Sequence, residues 1–129
     1  MRRSYRSLDF PAARVAAAKR GRRVSVCIPA RDEEATVGQI VAAIRRDLVE
    51  AAHVVDEILV VDDGSADATA AVASVAGATV LPSAGVLEEH AGQGKGQAMW
   101  KAVHACSGDV VVFCDADIRD FDPGFVLGL

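Results

Sequence analysis

Ile58-Leu59-Val60-Val61 is an unbroken aliphatic run that stops abruptly at Asp62-Asp63-Gly64-Ser65, and this restricts the fold more than any other feature. A strand that is apolar at every position needs cover on both faces, which parallel sheets flanked by helices supply. Parallel neighbours need long crossovers, so helices must lie between the strands. The rest of the chain fits that demand. Val24-Ser25-Val26-Cys27-Ile28 is a strand stopped by Pro29, Thr79-Val80-Leu81 a third strand closed by Pro82, and Val110-Val111-Val112-Phe113-Cys114 a fourth. Between them, Val37, Ile40, Val41, Ile44 and Leu48 repeat at three and four, predicting a helix over Glu33–Ala52. An Ala-rich helix capped by Ser65 or Asp67 reaches Ala76, and another runs from Lys95 to Cys106 with Gly108 as its stop. Residues 83–94 read as loop, and Pro123 opens one more helix. The fold class is α/β: a mostly parallel, Rossmann-like, doubly wound sheet of about four strands with helices on both faces.

The length of 129 residues suits one domain, and an apolar share of 51% excludes wholesale disorder. Charge is uneven. Residues 1–23 carry eight basic side chains against Asp9, and the remaining six basic and seventeen acidic residues sum to −11. The chain therefore divides into a basic arm, 1–23, which reads as a solvated or oligomer-contacting segment, and an acidic body, 24–129. An acidic body argues against a nucleic-acid groove and for sites that hold cations. No apolar run reaches the roughly 18 residues of a membrane span, and the basic start lacks the apolar core of a secretory signal. Cys27, Cys106 and Cys114 form no CxxC and sit in or beside apolar stretches, as buried free thiols of a cytoplasmic protein do.

Ligands of such sheets bind outside the carboxyl ends of the strands. Here three of those ends carry Pro29-Ala30-Arg31-Asp32-Glu33-Glu34, Asp62-Asp63-Gly64-Ser65 and Asp115-Ala116-Asp117. On an extended backbone Asp115 and Asp117 project to one side, where two carboxylates repel unless a cation or proton lies between them. Hard oxygen ligands without nearby His or Cys suit Mg²⁺ or Mn²⁺ shared with substrate phosphates. The competing reading makes them solvated or capping aspartates. Gly92-Gln93-Gly94-Lys95-Gly96 places an ammonium at a helix start, a diphosphate clamp or else a plain linker. It matches neither the Walker loop nor GxGxxG. Lys101 reads as a solvated helix face, and His53, His90 and His104 are isolated in sequence.

Four segments taken in order, Pro-Ala-Arg-Asp-Glu-Glu, Val-Val-Asp-Asp-Gly-Ser-Ala-Asp, Gly-Lys-Gly-Gln-Ala-Met-Trp and Val-Phe-Cys-Asp-Ala-Asp, make residues 24–129 resemble GT-A fold glycosyltransferases. The resemblance is to the actinobacterial glucosyl-3-phosphoglycerate synthases. It implies transfer of glucose from UDP-glucose or GDP-glucose to 3-phosphoglycerate, with retention of configuration and Mg²⁺ or Mn²⁺. By the same resemblance, Pro29, Ala30, Arg31, Asp32 and Glu34 line the nucleoside pocket, Glu34 touching ribose, and Asp63 or Ser65 reaches the base. Lys95 neutralises the diphosphate; Asp117 is the metal ligand, and Asp115, beside Ala116, lies near ribose or metal-bound water. Asp117 and Lys95 are thereby the catalytic pair.

These synthases usually read Asp-Ser-Asp, Asp-Ser-Gly-Ser and Gly-Lys-Gly-Glu where this chain has Asp115-Ala116-Asp117, Asp62-Asp63-Gly64-Ser65 and Gly94-Lys95-Gly96-Gln97. The Asp-Asp-Gly-Ser form also resembles polyprenyl-phosphate sugar transferases. Enzymes of this kind are longer and place acceptor groups after the DxD, so these 129 residues match a donor-binding half, expected not to transfer glucose alone. A catalytically silent nucleotide-binding module is the alternative. A phosphatase with Asp115 as nucleophile expects Thr or Val where this chain has Arg119.

Overall fold

β1 (Val24–Ala30) is buried at every position and β2 (Glu57–Asp62) at all but its two ends. The sheet order supplies the cover both need. β3 (Thr79–Pro82), β2, β1 and β4 (Val110–Phe113) lie side by side in that order, all parallel. The computed structural model that shows this describes residues 3–86 and 94–129; the remainder, including His90, Gly92 and Gln93, lies outside the described residues. In the register, Ile28 stands beside Val60 and Cys27 beside Phe113.

The two-residue period of the strands sorts the core into two layers. Val24, Val26, Ile28 and Ala30 join Ile58 and Val60 under α2 (Val37–Ile44) and α3 (Thr69–Ala76). Cys27, Leu59 and Val61 face the other way, under Ala98 and Ala102 of α4 (Lys95–Ala105). Helices thus cover both faces, as the apolar runs require.

Several expectations are corrected. Pro29 does not stop β1, which continues to Ala30. β4 pairs with β1 only as far as Cys27, whose carbonyl accepts from Cys114. Pro29 points to that same edge, beyond the last β4 partner, so its missing N–H breaks no ladder bond. Pro82 likewise closes an edge strand from within. α2 begins at Val37 rather than Glu33, because Thr36 and Val37 donate to the Glu33 carbonyl in a turn, and Arg45–Ala51 continues as a π-helical stretch. β4 ends at Phe113, before Cys114. The helix after Pro123 is the single turn α5 (Gly124–Leu127).

The basic arm is not merely solvated. It contains α1 (Ala12–Ala18), whose Ala12, Val15 and Ala16 pack on the first core layer. Lys19 Nζ then donates to the carbonyls of His53 and Val54 at 3.2 and 3.0 Å and pairs with Asp56 at 2.7 Å. Lys101 is not on a solvated face either. It shares the sheet-facing stripe of Ala98 and Ala102, three and one residues away, and is fully buried with Nζ 2.8 Å from the Ser83 carbonyl. All three cysteines are free; Cys27 and Cys114 are buried but Cys106 only half so. Burial, ahead of neighbouring Cys106 and Glu57, pushes the Cys27 thiol up to about 12, and burial pushes Cys114 to about 11. Both stay protonated and inert. Among the described residues no helix is long and apolar enough to cross a membrane.

Candidate nucleotide and metal site

At the carboxyl edge, the exits of β1, β2 and β4 and the start of α4 enclose a cleft of about 290 Å³. Its wall is Pro29, Ala30, Arg31, Glu33, Asp63, Gly94, Lys95, Ala98, Asp115, Ala116 and Asp117. That volume lies at the lower end of the range for small-molecule sites.

Asp63 anchors the floor. It is buried, its N–H donates to the Ala30 carbonyl at 2.9 Å, and its Oδ2 accepts the Gly94 N–H at 2.8 Å. Gly94 has φ +106°, a conformation that side-chain-bearing residues rarely adopt, so glycine is needed where the chain turns into α4. The β2 exit and the α4 entrance are therefore tied through one carboxylate. Lys95, the first residue of α4, forms an ion pair through Nζ with Asp115 Oδ1. Its hydrogen bond to Asp115, with charge from Asp115 and Asp117 adding, holds the ammonium above the usual lysine range. Both side chains are more than half exposed, at 61% and 54%, so water screens the pair and a ligand can exchange it.

Asp115-Ala116-Asp117 is not extended, contrary to the expectation from sequence: Ala116 and Asp117 lie in a turn that begins three residues past the end of β4. Both carboxylates still face the cleft, because Ala116 between them is held. It is buried, and its carbonyl accepts the Thr36 hydroxyl at 2.6 Å. Gln39 Nε2 donates to the Arg119 carbonyl at 2.9 Å and fixes the following turn.

Asp32, Glu34 and Ser65 stand outside the cleft wall. They clip the β1 exit loop to the β2 exit loop. Asp32 donates its N–H to Ser65 Oγ at 2.9 Å, and its Oδ1 accepts from Ala66 at 2.7 Å. Glu34 Oε2 accepts the Ala68 N–H at 3.0 Å, while Asp67 accepts from Glu34 and Thr69. Asp32 has φ +54°, which aspartate tolerates better than most residues. Glu33, not Glu34, lines the cleft. Its place within the acidic run was visible in sequence, but the order of side chains around the loop was not. Thr36 carried no signal, since its partner is 80 residues away.

The donor set fits a hard divalent ion. Among the described residues no three His, Cys, Asp or Glu side chains gather to hold a metal by themselves. Two exposed carboxylates on a cleft suit Mg²⁺ or Mn²⁺, which commonly take one or two protein carboxylates and complete their shell with substrate phosphates and water.

A family model described as glycosyl transferase family 2 matches residues 25–123, from the second residue of β1 past the paired aspartates. The chain belongs to glycosyl transferase family 2. It is 42% identical over 124 residues to the glucosyl-3-phosphoglycerate synthase of Mycolicibacterium smegmatis, across 95% of this chain and 40% of that one. The mannosyl-3-phosphoglycerate synthase structure from Rubrobacter xylanophilus superposes with a TM-score of 0.91 at 42% identity, covering 98% of this chain and 41% of that one. A Mycobacterium tuberculosis glucosyl-3-phosphoglycerate synthase, solved with Mn²⁺, UDP and glucosyl-3-phosphoglycerate, has a TM-score of 0.81 at 37% identity over 98% of this chain and 43% of that one. This chain thus spans about two-fifths of these relatives, and within that span its architecture is the GT-A fold.

Proposed function

We propose that this family 2 chain is the donor-binding part of an enzyme that transfers glucose from UDP-glucose to 3-phosphoglycerate with retention. The observation that carries the reading is the convergence of Lys95, Asp115 and Asp117 on one cleft beside buried Asp63. Lys95 would turn from Asp115 to the diphosphate oxygens. Asp117, with Asp115 beside it, would hold Mg²⁺ or Mn²⁺, which when bound stabilises negative charge on the departing diphosphate. Asp63 presents a carboxylate that accepts a base N–H, and both uracil and guanine offer one, so GDP-glucose is the second donor. The M. tuberculosis relative, solved with UDP, favours uridine. Mannose is the alternative sugar, favoured by the likeness to the Rubrobacter mannosyl synthase. Three free thiols suit a reducing, cytoplasmic setting.

Among the described residues, the cleft wall offers no cation beyond Arg31 and Lys95 to an acceptor bearing two negative groups. The proposal therefore assigns donor recognition, not acceptor recognition, to these residues. The test supplies the protein with Mn²⁺, 3-phosphoglycerate and, in separate reactions, UDP-glucose, GDP-glucose and the corresponding mannose donors. The reading predicts UDP-glucose binding, and either slow donor hydrolysis or an α-linked product by proton NMR. A β-linked product would refute retention, and absence of binding by any donor would refute the whole reading.

A further inference from the structure

Lys101 is the largest fully buried side chain of the described residues, yet it carries a cationic head. Burying an ammonium is costly, so its position has to be offset by directed bonds. The acceptor among the described residues is the carbonyl of Ser83, the first residue after β3. Ser83 is itself buried, and among the described residues its hydroxyl has no hydrogen-bond partner. The contact joins α4 to the point where the chain leaves the sheet.

The rest of the α4 interface is made of small residues. Ala98 and Ala102 meet Cys27, Leu59 and Val61, with half-buried Leu81, Ala105, Cys106, Val111 and Phe113 packed around them. Alanine on a flat aliphatic surface brings the helix close but gives little grip against sliding or rotation, because apolar contact is non-directional. A bond from a buried ammonium to one carbonyl is directional. Lys95 stands six residues upstream on the same helix, about 9 Å along its axis. Gly94, just before it, is tied to Asp63.

We propose that Lys101 is a positioning residue for the nucleotide cleft: its bond to the Ser83 carbonyl sets the axial and rotational placement of α4, and so delivers Lys95 to the diphosphate position. This rests on the nucleotide reading above, but the bond itself can be tested without it. Methionine fills much of the same volume without charge or donor; removing the buried charge offsets the carbonyl left unpaired at Ser83, so Lys101→Met should fold with a Tm close to the parent's. With Mn²⁺ present, its affinity for UDP should fall by about threefold to fivefold, while uridine affinity is unchanged. Lys101→Arg, which still donates to Ser83, should recover most of the UDP affinity. Hydrogen exchange in the first turn of α4 should be faster in Lys101→Met than in the parent, with β1 unchanged.

The idea is overturned if Lys101→Met binds UDP as the parent does, loses UDP and uridine equally, or fails to fold. Failure of Lys101→Arg to improve on Lys101→Met would also sink it. If the parent itself binds no UDP, the nucleotide reading fails, and the exchange measurement alone decides whether Lys101 holds α4.

Discussion

Replacing Lys95 by alanine separates diphosphate recognition from the other work of the cleft. A hydrogen bond to a charged group contributes about 1.5–3 kcal/mol in a protected site. Lys95 is 61% exposed, which moves the value toward the lower limit. To meet a diphosphate it must also leave Asp115, and an exposed pair of that kind is worth about 0.2–1 kcal/mol. The net loss for Lys95→Ala is then about 0.5–1.3 kcal/mol, or roughly 2–9-fold in UDP affinity. Uridine lacks the diphosphate and should bind within twofold of the parent. Mn²⁺ alone should bind as tightly or a few-fold more tightly, because Asp115 has lost its competing cation. The assay is calorimetric titration of folded parent and variant with UDP, uridine and Mn²⁺ in turn. Equal losses for UDP and uridine would refute the clamp, and weaker Mn²⁺ binding would refute competition between lysine and metal for Asp115.

Two further outcomes follow from contacts around the cleft and a third from the opposite, amino edge of the sheet. Thr36→Val removes the hydroxyl that holds the buried Ala116 carbonyl and should cost about 1–3 kcal/mol in urea denaturation, with Thr36→Ser nearly neutral. Gly94→Ala forces a side chain into φ +106° and should weaken UDP binding as well as stability, read by titration and Tm. Asp56 is pushed up by burial, but hydrogen bonds from Lys19 and Val24 outweigh this and hold its carboxyl below the usual range. A depressed pKa means that stability is present above the unfolded value, about 4, and lost as pH falls through the folded one. The Tm gap between parent and Asp56→Asn should therefore be full at neutral pH and shrink in acid; a gap that grows in acid would contradict this sign.

Strand identity and the doubly covered parallel sheet were legible because aliphatic runs such as Ile58–Val61 admit only a doubly covered strand, and the structure covers it; the order β3-β2-β1-β4 was not. The gathering of the acidic strand ends at one edge was legible too, since a parallel topology alone brings them together. What escaped the sequence depended on distant partners. Lys101 looks solvated until Ser83 is placed beneath it, and the bonds by which Asp32, Glu34 and Ser65 join the two exit loops span more than thirty residues of sequence. The packing of the arm at 1–23 on the core escaped for the same reason. The arm's charge was evident, but the acceptors of Lys19 lie more than thirty residues away.

Asp115 and Asp117 are proposed to hold a divalent ion against a nucleoside diphosphate, and everything assigned to the cleft depends on that pair. The most direct measurement is UDP affinity of the parent and of Asp117→Asn, by calorimetry, each in Mn²⁺ and in EDTA. The account predicts that the parent binds UDP at least tenfold more tightly with Mn²⁺, about 1.4 kcal/mol or more, and that Asp117→Asn loses this difference while keeping its fold. Equal affinity of the parent with and without the ion would contradict it.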